Sequence, residues 1–265
     1  MAVVAVGGRE LTYVRRGAGE PLLLIQGMAG HHGLWGEEFL SLLARDFDVV
    51  AFDHRGVAGG GRVDEPFTVR DLAEDAVGVL DGLGWDSAHV LGISLGGMVA
   101  QELVVAHPQR VRSLVLGCTY AGPDGGALDG PGPVRMMTAA ATRDVSKSLR
   151  AGYEANLSPG FRADEAEFER FVEAVLSEQV PAPVIALQMQ AALQHDSVAG
   201  LADVRASTLV VHGTEDEMIT PKNGDHVASL IPGARLEVFE GVGHLFWWER
   251  PERTAELVRE HALGR

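Results

Sequence analysis

A serine lies where an apolar segment meets a helical pattern, in the sequence Gly92-Ile93-Ser94-Leu95-Gly96. Residues 89–93 are typical of a buried strand, and residues 95–107 of a helix that Pro108 ends. Glycines two positions away on each side allow the strained, closely packed turn that exposes a serine hydroxyl. The pattern predicts that Ser94 is a nucleophile; the alternative is a glycine-rich turn in which it only caps the helix.

A serine hydroxyl becomes a nucleophile when a base removes its proton, and that base needs an acid to orient it. Of the ten histidines, His244 follows the last predicted strand in a glycine-rich loop. The acids Glu215, Asp216 and Glu217 follow the strand before it. Both loops are expected at the sheet edge where Ser94 lies, so they supply the candidate base and the candidate acid.

These positions require a sheet whose strands alternate with helices. The predicted strands are residues 2–6, 11–15, 21–25, 49–53, 89–93, 111–116, 207–213 and 235–239. The predicted helices are residues 35–45, 68–83, 95–107 and 251–263. Continuously apolar strands between helices indicate an α/β protein with a mostly parallel sheet covered on both faces.

The alternation stops between the sixth and seventh strands. Residues 121–203 begin with a glycine- and proline-rich loop and continue as helical segments without a convincing strand. A helical insertion in an α/β domain often covers the site. We therefore predict a core of residues 1–120 and 204–265, with residues 121–203 forming a helical cap.

The composition limits the possible partners and compartments. The 265 residues carry a net charge of −15, which disfavours nucleic-acid binding, and 46% of them are apolar, which is enough for a sizeable core. The single cysteine, Cys118, excludes an internal disulfide and is expected to be a buried, inert thiol. Neither a signal peptide nor a membrane-spanning segment is predicted, so we expect a cytoplasmic protein without membrane contact.

Four segments carry a resemblance to a known family. They are DHRG (53–56), GISLGG (92–97), HGTEDEMITP (212–221) and GVGHLFWWERP (241–251). Together they resemble the α/β-hydrolase superfamily over essentially the whole chain. The resemblance is to its small branch of 3-oxoadipate enol-lactonases, cofactor-free haloperoxidase-type esterases and aclacinomycin-type methylesterases. It implies an eight-stranded α/β-hydrolase fold and a Ser94–Asp216–His244 triad, with His212 as a structural turn residue.

The segment LLLIQGMAGHHG (22–33) has three interpretations. As a dinucleotide site it lacks the G-x-G-x-x-G spacing, because Ala29 and His32 occupy the second and third glycine positions. As a metal site it offers only the adjacent His31 and His32, which rarely converge on one ion. The resemblance favours the third interpretation, an oxyanion loop.

In that interpretation the backbone N–H groups of Met28 and Leu95 bind the negative charge that develops during acyl transfer. The family pattern usually begins with His-Gly, whereas this chain has Gln26-Gly27. Glutamine also donates and accepts hydrogen bonds, so the replacement puts the geometry of the loop in question rather than the reaction.

The residues and the resemblance together predict a serine hydrolase that cleaves a small to medium carboxylic ester or lactone without a cofactor or metal. Candidate pocket residues are Gly27, Trp35, Met137 and Phe246, which suit an apolar or aromatic group, although the larger ones are equally well explained as core. Cap cations that could bind a carboxylate, or equally well lie on the surface, are Arg135, Arg143, Lys147 and Arg150. The alternatives are a C–C bond hydrolase, a perhydrolase, or a non-hydrolytic biosynthetic or binding protein on the same fold.

Overall fold

The computed structural model describes residues 1–265 and contains one sheet of eight strands. The strands are β1 (Ala2–Val6), β2 (Arg9–Arg16), β3 (Glu20–Ile25), β4 (Phe47–Phe52), β5 (Ala88–Ile93), β6 (Val111–Gly117), β7 (Ser207–Gly213) and β8 (Arg235–Phe239). Their order across the sheet is β1-β2-β4-β3-β5-β6-β7-β8. Only β2 runs against its neighbours, so the sheet is mostly parallel as predicted.

Eleven α-helices connect or cover these strands. They are α1 (Glu37–Leu43), α2 (Val69–Gly82), α3 (Leu95–Ala106), α4 (Pro131–Ala141), α5 (Val145–Asn156), α6 (Glu165–Leu176), α7 (Ala182–Leu193), α8 (Val198–Leu201), α9 (Lys222–Leu230), α10 (Phe246–Glu249) and α11 (Pro251–Leu263). None of them combines the length and the apolar character needed to cross a membrane.

Two clusters of buried side chains fill the opposite faces of the sheet. One cluster of 36 residues packs α2, α3 and α9 against one face. The other cluster, of 28 residues, packs α1, α10 and α11 against the other face and extends to α5 and α6. Every residue of β4 and β5 is buried, which explains why their sequences are mostly apolar, apart from Asp48 and His89, rather than alternating.

Local sequence signals account for most element boundaries. Thr68 and Asp71 form a capping box at the start of α2, as their spacing predicts. The helix predicted over residues 35–45 is wrong in its first turn, since a 3-10 turn (His32–Trp35) precedes α1 instead. Gly36 separates the two with φ of 74°, a left-handed conformation that no continuous α-helix contains.

Helices α4 to α8 lie between β6 and β7, within residues 121–203, which we call the cap. Its two ends meet, because Ser197 N–H donates to Ala121 O at 2.8 Å. The cap contacts the loops that follow the parallel strands: Gly132 N–H donates to Glu217 O at 2.8 Å, and Gln188 bonds the loop after β3. It therefore lies at the carboxyl edge of the sheet, where α/β proteins place their sites.

Candidate active site

Ser94 occupies the sharp turn between β5 and α3. Its backbone has φ of 55° and ψ of −122°, a region that costs a non-glycine residue about 1–3 kcal/mol. Its N–H donates to Gly117 O at 2.9 Å, and its carbonyl accepts from Thr119 Oγ1 at 2.7 Å. The surrounding backbone and side chains thus hold the strained conformation in place.

The two glycines of the predicted pattern are required by close packing. A Cβ atom at Gly96 would lie 2.1 Å from Ile25 O, and one at Gly92 would lie 2.2 Å from Gly96 O. Neither backbone carbonyl can move without displacing β3 or α3. The G-x-S-x-G spacing therefore follows from the packing of the turn itself.

A buried polar network extends from the Ser94 carbonyl to the cap. Gln101 Nε2 donates to Tyr120 O at 3.2 Å and lies 3.4 Å from Thr119 Oγ1. The Oε1 atom of Gln101 accepts from Ser197 Oγ at 2.7 Å. Thr119, Gln101 and Ser197 are all buried, so this network links the turn at Ser94 to the residue at which the cap returns to the core. No short motif signals it, and the sequence interpretation missed it.

His244 and Asp216 are joined in the structure. His244 Nδ1–H donates to Asp216 Oδ2 at 2.8 Å, which leaves Nε2 as the basic nitrogen of a neutral ring. Of the three acids in the loop after β7, Asp216 alone contacts His244, since Glu215 is exposed and Glu217 pairs with Arg135 at 2.6 Å. The geometry thus distinguishes among acids that residue type alone could not separate.

The Asp216 carboxylate is buried and accepts three hydrogen bonds, one of them from His244. Oδ1 accepts from the N–H groups of Met218 at 2.8 Å and Ile219 at 3.0 Å. Oδ2 also lies 3.1 Å from Nε2 of His212. Burial alone would raise the pKa of Asp216, but its electrostatic interaction with His244 and the N–H groups of the His212 and His244 rings beside it outweigh burial and lower that pKa below its ordinary value.

His212 is therefore more than a turn residue. Its Nε2–H donates to Ile219 O at 2.8 Å and also faces Asp216, so the ring braces both the loop and the acid. The thiol of Cys118 lies beside these two groups, and burial raises the pKa of that thiol well above its ordinary value. A protonated thiol and an Nε2–H committed to a carbonyl are poor metal ligands, so this cluster has the chemistry of a hydrogen-bond network.

A buried carboxylate holds the loop that carries His244. Oε1 of Glu249 accepts from Gly243 N–H at 2.9 Å and from Ser158 N–H at 2.8 Å, and Oε2 accepts from Ser158 Oγ at 2.5 Å. Ser158 belongs to the cap and Gly243 immediately precedes His244. Glu249 thus fastens the histidine loop to the cap, a role that the sequence interpretation did not assign.

The His244 loop lies beside the turn at Ser94. Phe246 packs against Gly117, whose carbonyl accepts the Ser94 N–H. No hydrogen bond joins Ser94 Oγ to His244 Nε2 in this structure. Such bonds between nucleophile and base are often loose before substrate binds and tighten in the reacting complex.

The loop after β3 contacts Ser94 from the other side. A Cβ atom at Gly27 would lie 3.0 Å from Ser94 Cβ, so this backbone passes directly against the serine. The Met28 N–H has no hydrogen-bond partner within the protein. The Leu95 N–H opens α3 and so lacks an intrahelical acceptor. Both predicted oxyanion donors are therefore available to a ligand.

Two glutamines shape this loop. Gln26 Oε1 accepts from Gly27 N–H at 2.9 Å, and Gln188 Oε1, from α7 in the cap, accepts from Ala29 N–H at 2.9 Å. Ala29 has φ of 57°, so the loop turns sharply just after Met28. Both glutamines are buried, and the Nε2 atom of each lacks a hydrogen-bond partner.

The other polar residues of the segment 22–33 anchor the backbone. The buried Asp53 accepts from His32 N–H at 2.6 Å, from the His32 ring at 2.7 Å and from Thr12 Oγ1 at 2.7 Å. His31 accepts from Gly33 N–H at 3.2 Å and contacts Val175 O of the cap. Asp53 is thus committed to the 3-10 turn and is not free to bind a ribose hydroxyl, as the acid after the second strand of a dinucleotide site would be.

Three of the four predicted pocket residues are either packed in the core or exposed to solvent. Trp35 is 1% exposed and packs against Phe39 and Trp247, and Phe246 is fully buried against Phe239 and Trp247. Their contacts are those of core residues. Met137 lies on the outer side of α4 and is 58% exposed, so it forms no enclosed wall. Gly27 alone lies against Ser94.

Three of the four cap cations considered for carboxylate binding lie beside acids. Arg135 pairs with Glu217, Arg150 pairs with Glu165, and Lys147 lies 3.8 Å from Asp144. These pairs account for the charges as contacts of the cap with itself and with the loop after β7. No carboxylate-binding role is needed to explain them.

Comparisons with known proteins agree with this architecture. Residues 20–251 match the model of the family described as having the alpha/beta hydrolase fold. The chain is 31% identical to "Putative carbamate hydrolase RutD" of Azorhizobium caulinodans, over 95% of this chain and 94% of that protein. It is 32% identical to the 2-hydroxymuconate semialdehyde hydrolase of Pseudomonas sp. strain CF600, over 91% and 86% of the two chains. Among solved structures, the esterase RhEst1 from Rhodococcus sp. ECU1013 matches with a TM-score of 0.83 and 26% identity, over 98% of this chain and 97% of that one.

A strained serine between β5 and α3, an acid after β7 and a histidine after β8 stand at one edge of an eight-stranded sheet. The family match covers this whole arrangement, and the similar proteins given above carry the names of hydrolases or of an esterase. The chain therefore belongs to the α/β-hydrolase family and is a hydrolase.

Proposed function

We propose that this hydrolase is a serine-dependent carboxylic ester hydrolase acting on an ester or lactone. The observation that carries the proposal is the hydrogen bond from His244 Nδ1–H to Asp216, at the sheet edge where the strained turn presents Ser94. That bond fixes the ring with Nε2 as the base, which is the tautomer needed to accept a serine proton.

The reaction proceeds through an acyl-enzyme. Ser94 Oγ attacks the carbonyl carbon while His244 Nε2 accepts the hydroxyl proton. The carbonyl oxygen becomes an oxyanion held by the N–H groups of Met28 and Leu95. The C–O bond then breaks and His244 protonates the departing alcohol. Water, deprotonated by His244, attacks the acyl-enzyme and releases the acid with Ser94 restored.

Labelling with a fluorophosphonate tests the nucleophile. The intact protein should be labelled on Ser94 and should hydrolyse p-nitrophenyl esters, whereas Ser94→Ala should do neither. Equal labelling of the two proteins would refute the assignment. A panel of p-nitrophenyl esters of increasing chain length, assayed beside lactones, then separates ester from lactone preference.

The second candidate is hydrolysis of a C–C bond. It is favoured by the similarity to a protein named for a semialdehyde substrate, a name that specifies no ester. A β-diketone such as 2,4-pentanedione distinguishes the two candidates. Cleavage of the diketone with no turnover of any ester would favour C–C hydrolysis, and the reverse result would favour the ester hydrolase.

A further inference from the structure

The loop after β3 contains two buried carboxamide groups whose orientation is fixed. Because an N–H can only donate, the atoms facing Gly27 N–H and Ala29 N–H must be the oxygens of Gln26 and Gln188. The NH₂ end of each side chain is therefore the end left without an acceptor. The side chains of Gln188 and Gln26 are 0% and 3% exposed, so bulk solvent does not reach them.

Burying these two NH₂ groups without an acceptor costs free energy. A buried N–H group without an acceptor costs about 1–3 kcal/mol, and native proteins contain few of them. Gln188 is the more informative of the two, because it extends from the cap across the domain junction to Ala29, one residue beyond the proposed oxyanion donor Met28. Leu187, its neighbour on α7, packs against the same core cluster as Met28 and Leu95.

The order of the strands indicates which part of a substrate lies at this loop. The loop follows β3 on one side of β5, whereas His244 follows β8 on the other side. A leaving alcohol takes its proton from His244 and so departs toward that side. The side of the substrate away from the leaving alcohol, with its carbonyl oxygen, accordingly lies by the loop after β3, which Gln188 contacts at Ala29.

The charges near the site define the acceptor. Both carboxamides are neutral, and the cap residues Arg135 and Arg150 are paired with Glu217 and Glu165. The chain also carries a net charge of −15, which repels an anionic group. A neutral oxygen, such as a ketone, ether or second ester oxygen, suits these donors better than an anion.

We propose that Gln188 is a specificity residue that donates a hydrogen bond from Nε2 to a neutral second oxygen in the acyl part of the substrate. The preferred substrates are then oxo- or alkoxy-acyl esters or lactones rather than plain alkanoates. This inference rests on the proposed ester hydrolase function. A site with a buried donor discriminates against an analogue that lacks the acceptor, because that analogue leaves the donor unpaired.

The test compares two esters of equal length, p-nitrophenyl methoxyacetate and p-nitrophenyl butanoate, which differ by one ether oxygen in place of a methylene. The ratio of their kcat/KM values, divided by the ratio of their alkaline hydrolysis rates, removes the difference in intrinsic reactivity. We expect this corrected ratio to be about 10 for the wild-type enzyme, in line with one hydrogen bond to an otherwise unpaired donor. The same comparison of 4-oxopentanoate with pentanoate covers a more distant oxygen.

Three variants test whether the corrected ratio depends on the Nε2 donor of Gln188. Gln188→Met removes the donor together with the Ala29 contact, whereas Gln188→Glu keeps an acceptor for Ala29 N–H and, when ionised, lacks the donor. Both should bring the corrected ratio close to 1 at pH 8. Gln190→Met, two residues along the same helix and exposed, should keep the wild-type ratio.

The outcomes separate the two proposals. If the wild-type enzyme hydrolyses the esters but has a corrected ratio near 1 for both substrate pairs, or if both Gln188 variants keep the wild-type ratio, the specificity role is wrong and the esterase proposal stands. If the wild-type enzyme neither hydrolyses the esters nor reacts with the fluorophosphonate at Ser94, both proposals fail. Circular dichroism of each variant shows whether it is folded, and the decision is made on the folded Gln188 variants.

Discussion

At the scale of single residues, the most consequential conformation is that of Ser94. Its positive φ is sustained by the hydrogen bonds from Ser94 N–H to Gly117 O and from Thr119 Oγ1 to the Ser94 carbonyl. The backbone strain is thus located at the residue whose hydroxyl does the proposed chemistry, and such strain is common at functional sites.

Replacing Ser94 tests this strain. Ser94→Gly should be more stable to urea than Ser94→Ala by about 1 kcal/mol, because glycine adopts the turn without strain but is more flexible when unfolded. Both variants lose the hydroxyl, so their difference reports the backbone alone. A Ser94→Ala variant that is as stable as Ser94→Gly, or more stable, would contradict the prediction.

Not every residue of the candidate site could be predicted from the sequence. Ser94, Asp216 and His244 belong to short motifs, and the structure joins the last two directly. Gln188 belongs to no motif, since it meets Ala29 across 159 positions of the chain. The pocket interpretation of Trp35 and Phe246 depended on proximity in sequence, which does not show which face of the sheet a side chain occupies.

At the scale of elements, the network behind α3 determines how rigidly the turn is held. Thr119 Oγ1 donates to the Ser94 carbonyl, and Gln101 connects it to Ser197. A buried hydrogen bond of this kind contributes about 1 kcal/mol. If the hydrogen bond from Thr119 to Ser94 positions the nucleophile, its loss should lower the rate of the reaction as well as the stability of the fold.

We expect Thr119→Val, which keeps the shape but removes the hydroxyl, to lower kcat about tenfold with little change in KM. Thr119→Ser should restore most of kcat because it keeps the donor. Steady-state kinetics and the rate of fluorophosphonate labelling measure the effect. A lower melting temperature with an unchanged kcat would show that Thr119 is only structural.

Glu249 in α10 connects two further elements. Glu249→Gln exchanges two acceptor oxygens for one and leaves a donor facing Ser158 or Gly243, so it should destabilise the fold by about 1–3 kcal/mol. It should also lower kcat, because Gly243 precedes His244. Denaturant unfolding and ester kinetics provide the measurements. Glu252→Gln, exposed in the first turn of α11, is the matched control and should change neither quantity.

The elements themselves were largely predictable. All eight strands lie within two residues of the segments expected from apolar runs, because β3 to β7 are buried on both faces and leave a clear signal. The first turn of the helix predicted over residues 35–45 was wrong because the backbone at Gly36 is left-handed, which no periodic pattern encodes. The order of the strands across the sheet is not encoded in the local pattern, because it depends on pairing between strands that are distant in sequence.

At the scale of the whole molecule, the junction of core and cap contains a buried histidine. His195 is 4% exposed, lies between α7 and α8, and has Glu102 of α3 at 3.6 Å. Burial lowers the pKa of His195 from its ordinary value of 6.5 to about 4, and Asp196 opposes that shift only in part. The folded protein therefore binds this proton more weakly than the unfolded chain does.

Acid should consequently weaken the fold through His195. Below pH 6.5 His195 binds a proton in the unfolded chain, whereas in the folded state it does not bind one until about pH 4. The free energy of unfolding therefore falls as the pH decreases through this window. The loss from this group should be about 2 kcal/mol at pH 5 relative to pH 7.5. Urea unfolding of the wild-type protein and of His195→Phe at both pH values isolates the contribution of His195 to the free energy of unfolding. His195→Gln serves as a second variant. Parallel pH dependence in all three proteins would contradict the prediction.

The meeting of the cap's two ends has an evolutionary consequence. Because Ala121 and Ser197 lie within hydrogen-bonding distance, the segment between them can change in length or be exchanged while β6 and β7 remain paired. Ser94, Asp216 and His244 all lie outside that segment, whereas Gln188 lies inside it. Recombination at these two points would thus transfer the cap, with Gln188, as a single module between lineages, while Ser94, Asp216 and His244 would stay with the core.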